Sequence, residues 1–312
     1  MLSYKKMNVK LCISPCPNDV YIFAGILLGK VTHPNFTFIT TYLDVQAANE
    51  AAQSGQFDVI KISYAAYPNL SHLYDLLPSG GALGRGCGPL LLKNGDADFD
   101  PSAEVLAPGA QTTANFLLDF WLGTLLPSPP PNPGRRVGGG ENVEISLPSP
   151  DPASAGLGGG AGGGGKSGGG QRRYLPFDTL YEELKSTPGT QGVVIHEKRF
   201  TYEADGLTLI QDLGEHWEAE TGYAIPLGAI LCRTSLGLSE TVADLIRESL
   251  AWADTHRDEA LALCRQHAQD LTDGVIEAHI GLYVNEYSHD LGKEGRAAVE
   301  FFFSQQMSEA IG

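Results

Sequence analysis

A chain of 312 residues, 42% of them hydrophobic, carries enough apolar material for two domain-sized cores. Its 37 acidic residues against 21 lysines and arginines leave a net charge of −16. That balance speaks against a nucleic-acid partner or an anionic membrane surface, both of which select a basic face, though one or two local cations still suffice for a small acidic substrate.

The first ten residues hold three lysines, Lys5, Lys6 and Lys10, and no apolar stretch with a small-residue cleavage site follows them, so no secretory signal is expected. No apolar run approaches the ~18 residues of a membrane span. Five scattered cysteines, Cys12, Cys16, Cys87, Cys232 and Cys264, read as reduced thiols in a cytoplasmic compartment. Cys12 and Cys16 lack the second pair that a zinc site needs.

Val9–Ile13 reads as a first strand and Ser14–Asp19 as the proline-broken turn after it, with Asn18 or Asp19 expected to cap a helix from about Val20 to Gly29. Phe36–Leu43 alternates as a second strand. Asp44 then caps a helix to about Ser54, closed by Gly55. Asp58–Ser63 is a third strand, and the βαβαβ alternation implies a parallel sheet flanked by helices. Ser79–Gly88 holds five glycines, which suit either a close backbone approach or a plain loop. The dinucleotide fingerprint does not fit there, and no helix opens after it. Pro89–Lys93 follows as an apolar strand suited to crossing between domains. Glu104–Ala107 opens a second sheet, and Ala114–Leu122 is an apolar helix. Thr112 and Thr113 therefore stand at a helix start, where N–H groups and hydroxyls favour a carboxylate and ordinary capping is equally served.

Residues 127–173 are different material, with 15 glycines and 8 prolines among 47 positions. Such a segment cannot bury enough apolar surface to offset its ordering entropy and reads as a disordered insertion. Gly160–Ser167 fits the P-loop pattern and Gly165–Gly169 the GxSxG pattern, but each motif needs a strand before it and a helix after it, and polyglycine supplies neither. Order is expected again from Tyr174, with Asp178 capping a helix to about Leu184.

Val193-Val194-Ile195 is a β-branched run that stops abruptly at His196. A histidine at the carboxyl end of a buried strand stands where open α/β sheets bind ligands, and it can exchange a proton near neutral pH. A strand-capping histidine is the plainer alternative. His196-Glu197 does not open a zinc helix, because Phe200 stands where HExxH needs its second histidine. Thr208–Ile210 is another strand, and Pro226–Arg233 a second apolar crossing segment. From Glu240 onward the chain reads as helical, with Val242, Leu245, Ile246, Leu250 and Ala253 on one face. Further helices are expected over about 258–269, 273–283 and 293–309. His256, His267, His279 and His289 are isolated in sequence and read as structural.

Several segments together resemble one family: SPCPND at 14–19, KISYAAY at 61–67, SGGALGRGCGPL at 79–90, TTANFLL at 112–118, IHEKRFTY at 195–202, PLGAIL at 226–231 and YVNEYS at 283–288. They are similar to the dihydroxynaphthoate synthases of the futalosine route to menaquinone. The likeness runs along nearly the whole chain outside residues 127–173. It implies an α/β fold of two lobes, like the type II periplasmic solute-binding proteins, each lobe a mixed sheet flanked by helices with the ligand between them. The implied lobes are 1–91 with 229–312, and 92–228. It also implies a lyase that cleaves cyclic dehypoxanthinyl futalosine to 1,4-dihydroxy-6-naphthoate and a three-carbon sugar fragment, with no cofactor or metal. The family's proton acceptor falls on His196, and its substrate contacts on Lys61, Ile62, Ser63, Thr112 and Thr113. The chain departs from the pattern at Val20-Tyr21, at Gln111 and in the long insertion. Alternatives are chorismate dehydratase of the same route, against which SPCPND and IHEKRFTY argue, and a non-catalytic solute-binding protein, which usually carries a secretion signal.

Overall fold

The computed structural model describes residues 6–123, 171–268 and 270–309. Its strands in chain order are β1 (Met7–Ile13), β2 (Phe36–Tyr42), β3 (Val59–Ser63), β4 (Tyr74–Leu76), β5 (Ala82–Gly84), β6 (Leu90–Lys93), β7 (Val105–Ala107), β8 (Arg172–Tyr174), β9 (Gln191–Val194), β10 (Thr208–Asp212) and β11 (Ile225–Arg233). They form two sheets. The first runs β2-β1-β3-β11-β4, with β5 also on β11, and the second runs β10-β6-β9-β7-β8. In the first sheet β2, β1 and β3 are parallel, with Met7 opposite Phe36 and Leu11 opposite Val59, while β11 returns antiparallel with Gly228 opposite Ser63. In the second, β7, β8 and β9 are parallel and β6 is antiparallel to β9.

Local chemistry explains most of these elements. All five positions of β3 are buried, the polar Lys61 and Ser63 among them, whereas edge strand β2 keeps several positions in solvent. Helix Val45–Gln53 is capped by Asp44, whose carboxylate accepts from the amides of Gln46 and Ala47, both at 2.9 Å. Helix Ser239–Thr255 buries Val242, Leu245, Ile246, Leu250 and Ala253 along the expected face. One apolar cluster joins the sheets by uniting Ile60 and Ile62 with Leu91 and Val193, and a second packs Val9 and Leu11 against Ile246 and Leu250. No helix among the described residues is long and apolar enough to cross a membrane.

Several local expectations need correction. The helix expected from Val20 begins at Pro17 and is split at Phe23 into Pro17–Ile22 and Ala24–Leu27. Proline's fixed φ suits the first helical position, so Cys16 takes the cap and Asn18 and Asp19 are buried inside the helix. Asp178 lies within the first turn of helix Phe177–Ser186, with Pro176 at its cap. Order returns earlier than Tyr174: Arg172 and Arg173 belong to β8, held by ion pairs from Arg172 to Asp119 and from Arg173 to Glu104 and Glu183. Helix Leu213–Thr221 was not expected, although Asp212 caps it and Gly222 closes it at φ 74. The rest of the insertion, with both refused motifs, lies outside the described residues. In the glycine-rich segment, Gly88 answers to packing: a Cβ there would come within 2.3 Å of the Gly214 Cα.

Candidate active site

A cleft with a cavity of about 110 Å³, partly open to solvent, lies between the two sheets. The chain reaches it from the carboxyl ends of parallel strands: Ser14 follows β1, Ser63 ends β3, the loop before Thr112 follows β7, and His196 follows β9. This is where such sheets gather ligands. All six sequence-selected residues, Lys61, Ile62, Ser63, Thr112, Thr113 and His196, lie in its wall.

His196 stands two residues beyond β9 at φ 59, the left-handed region, and no other non-glycine residue among those described is found there. Such backbone is tolerated only when its surroundings impose it. Arg199 supplies that constraint, since its guanidinium donates to the Gly88 carbonyl at 2.6 Å and to Asp212 at 2.6 Å, tying the turn His196–Phe200 to the start of β6 and to a helix cap. The imidazole packs edge-on against Phe177, with centroids 5.3 Å apart, and its Nδ1 lies 3.6 Å from the Cys16 sulfur. Burial pushes the imidazolium down, but a charged Cys16 sulfur, Glu197 and Asp19 outweigh it and raise the group to about 9.

Asp19, expected only as a cap, is a hub of the cleft. Its carboxylate accepts from Lys61 at 2.6 Å, from the Ser14 hydroxyl at 2.7 Å and from the Asn18 amide at 2.9 Å. Lys61 and Asp19 form a buried ion pair, and removing one partner of such a pair costs about 3–5 kcal/mol. The Lys61 stem passes Gly228 so closely that a Cβ there would meet its Cε at 2.6 Å. Ile62 is fully buried, and the Ser63 amide donates to Asn49 Oδ1 at 2.9 Å.

Across the cleft, Thr112 caps helix Thr113–Trp121 by accepting from the Asn115 amide at 3.2 Å. Its hydroxyl donates to the Gly109 carbonyl at 2.8 Å, and that of Thr113 to the Leu227 carbonyl at 3.1 Å. With both hydroxyl protons committed to backbone, the amides that a helix start presents, those of Thr113 and Ala114, are the donors for an anion. Asn49 also donates across the cleft to the Gln111 carbonyl at 3.2 Å, and Gln53 to the Gln111 side chain at 2.6 Å.

His279, read from sequence as structural, also lines the cleft. It is 1% exposed, and neither ring nitrogen meets a hydrogen-bond partner in the protein. Leaving a buried polar atom unpaired costs about 1–3 kcal/mol, so a merely structural histidine is a poor choice for this position. Burial depresses its pKa to about 3, helped by His196 and Lys61 and opposed by Asp19. Cys16 and His279 escaped the sequence reading because each is defined by a partner far away in the chain. The one available signal for His279 was its spacing, one helical turn before Tyr283 of the YVNEYS segment. No group of three or more His, Cys, Asp or Glu residues suited to a metal ion occurs among the described residues.

A sequence profile of the family described as Menaquinone biosynthesis matches residues 9–131 and 166–307. The chain is 35% identical over 309 residues to a 1,4-dihydroxy-6-naphthoate synthase of Streptomyces coelicolor, covering 97% of this chain and 94% of that protein. It is 36% identical over 306 residues to the protein of the same name from Thermus thermophilus, covering 97% and 95%. Among solved structures, protein AF1704 of Archaeoglobus fulgidus superposes with a TM-score of 0.78 at 22% identity, over 98% of both chains. The alkanesulfonate-binding protein SsuA of Xanthomonas axonopodis gives 0.58 at 12% identity, over 98% and 95%. A Candida albicans protein described as having the generic periplasmic binding protein fold gives 0.56 at 10% identity, over 98% and 96%. These likenesses give the fold: two mixed sheets with flanking helices, of the periplasmic-binding-protein type.

Proposed function

The chain belongs to the menaquinone biosynthesis family, and we propose that it is a carbon–carbon lyase, a 1,4-dihydroxy-6-naphthoate synthase acting on cyclic dehypoxanthinyl futalosine in the cytoplasm. The observation that carries this reading is the juxtaposition of His196 with a helix start in one cleft. A base and an anion site face the same enclosed space.

In this reading the substrate carboxylate docks at the first-turn amides beside Thr112 and Thr113, where the helix dipole favours negative charge. Lys61 adds positive potential, and Asp19 fixes its position. Ile62 and Ser63 supply an apolar and a polar strip of the opposite wall. His196, as the neutral imidazole, removes a hydroxyl or carbon-bound proton. The bond to the three-carbon fragment then breaks, and its electrons complete the second aromatic ring of the naphthoate. Aromatisation supplies the driving force. The lobes are residues 1–91 with 229–312, and 92–228, joined through β6 and β11 and closing over the ligand. The bonds of Asn49 and Gln53 to Gln111, which run from one lobe to the other, support such a closure.

Purified protein supplied with cyclic dehypoxanthinyl futalosine should release 1,4-dihydroxy-6-naphthoate. His196→Asn should retain the fold and product binding while turnover falls by at least ~10²-fold, the usual worth of a general base. Near-normal turnover in that variant removes His196 from the role, and absence of naphthoate from the wild type removes the function.

A further inference from the structure

We infer that His279 is a second ligand-binding histidine of this cleft, one that exchanges hydrogen bonds with an uncharged oxygen of the substrate, a hydroxyl or carbonyl, and not with its carboxylate. The inference rests on the lyase reading and adds a residue and a chemical specificity to it.

Three observations carry it. The ring lies in the cleft wall on helix Asp273–Tyr283, and both its nitrogens lack a protein partner although the side chain is 1% exposed. It is also held in place, with its centroid 4.6 Å from the Tyr283 ring and 6.5 Å from that of Phe200, which belongs to the same turn as His196. A fixed, buried imidazole with both nitrogens unpaired is either a defect or a preorganised partner, and preorganised donors and acceptors are what a specific cleft requires. Third, the surrounding charges forbid the cation: burial, His196 and Lys61 all disfavour it, and Asp19 opposes them only in part. A neutral imidazole offers one N–H and one lone pair. That combination matches a hydroxyl, or a carbonyl through the N–H alone, and it cannot neutralise a carboxylate. The carboxylate is better served by the helix start across the cleft.

The test compares wild type with His279→Phe, which keeps the ring shape and removes both polar atoms, and with His279→Gln, which keeps a donor and an acceptor. Each protein is titrated with 1,4-dihydroxy-6-naphthoate and with 2-naphthoate, which retains the bicycle and carboxylate but lacks both hydroxyls. The Phe variant should raise KM and the Kd of the dihydroxy acid about tenfold, the worth of a neutral hydrogen bond at the upper end, with kcat within about threefold. The Gln variant should recover most of that loss. Affinity for 2-naphthoate should stay within about twofold throughout, and the melting temperature of the Phe variant should equal or exceed that of wild type, since a buried unpaired group has been removed. Equal losses for the two acids, an unchanged KM, or a lower melting temperature for the Phe variant would overturn the inference while normal wild-type turnover left the lyase reading standing. A wild type that neither turns over the substrate nor binds the naphthoate overturns both. Should the Phe variant not fold, His279→Leu carries the same comparison.

Discussion

Cys16 and His196 are 180 positions apart in the chain, and the Cys16 sulfur lies 3.6 Å from the His196 Nδ1. Negative charge on the sulfur favours the imidazolium, so Cys16 opposes the neutral form that a base requires. Because His196 works deprotonated, turnover should climb as pH rises toward about 9. Cys16→Ala removes the charge that raises the group and leaves burial as the largest influence, so the rising limb of kcat/KM against pH should move to lower pH. A limb that stays in place would show that another group governs it. Thr112, Thr113 and His196 were legible because they stand at a helix start and just past a strand end, which a periodic pattern shows, whereas Lys61, Ile62 and Ser63, inside and at the end of β3, came only through the family resemblance. Asp19 was legible only as a helix cap. Its partnership with Lys61, 42 residues on, is created by the pairing of β1 with β3.

The turn that presents His196 is an element without regular support of its own, and Arg199 is its brace. The guanidinium spans from the Gly88 carbonyl to Asp212, a reach that uses two donors of a rigid fork. Lysine has the charge without the fork. Arg199→Lys should therefore lower kcat by about tenfold, a small positioning error at the base, with KM nearly unchanged because the guanidinium's bonds run to Gly88 and Asp212 and not to the helix start at Thr113. A change confined to KM, or no change, would argue that the turn holds itself. Gly88 and Gly214 show the same dependence of one element on another, since their backbones approach too closely for any side chain. The glycine-rich stretch was conspicuous in sequence. Its purpose was not, because glycine advertises freedom without naming the neighbour that needs it.

At the scale of the whole molecule, the chain visits the first sheet, crosses at β6, builds the second sheet and returns at β11. The long low-complexity stretch falls within the second visit, between helix Thr113–Trp121 and β8. Its flanks are joined by the Asp119–Arg172 ion pair and by the pairing of β7 with β8. With both flanks anchored to each other, replacing residues 124–170 by a ~5-residue Gly/Ser linker should leave turnover within about twofold, since loop closure changes by only about 0.6 kcal/mol per doubling of length. The replacement must spare Arg172 and Arg173, whose ion pairs tie edge strand β8 to Asp119, Glu104 and Glu183. Collapse of activity in the linker variant, measured beside wild type, would assign the stretch a role in the fold.

By itself the sequence determined most of the strands and helices, though not helix Leu213–Thr221, the two apolar segments at β6 and β11, the family and six residues of the cleft. Each of these is written in local periodicity, in strand and helix ends, or in motifs several residues long. Only the tertiary structure decided the pairings that give those residues their chemistry: Cys16 beside His196, Asp19 on Lys61, Arg199 on Gly88 and Asp212, and His279 in the cleft wall without a partner. The physical reason is that charge and hydrogen bonding act through space over a few ångströms, while a pattern in sequence records only neighbours along the chain. Whether a buried histidine is satisfied or left waiting for a ligand depends on which atoms the fold brings around it.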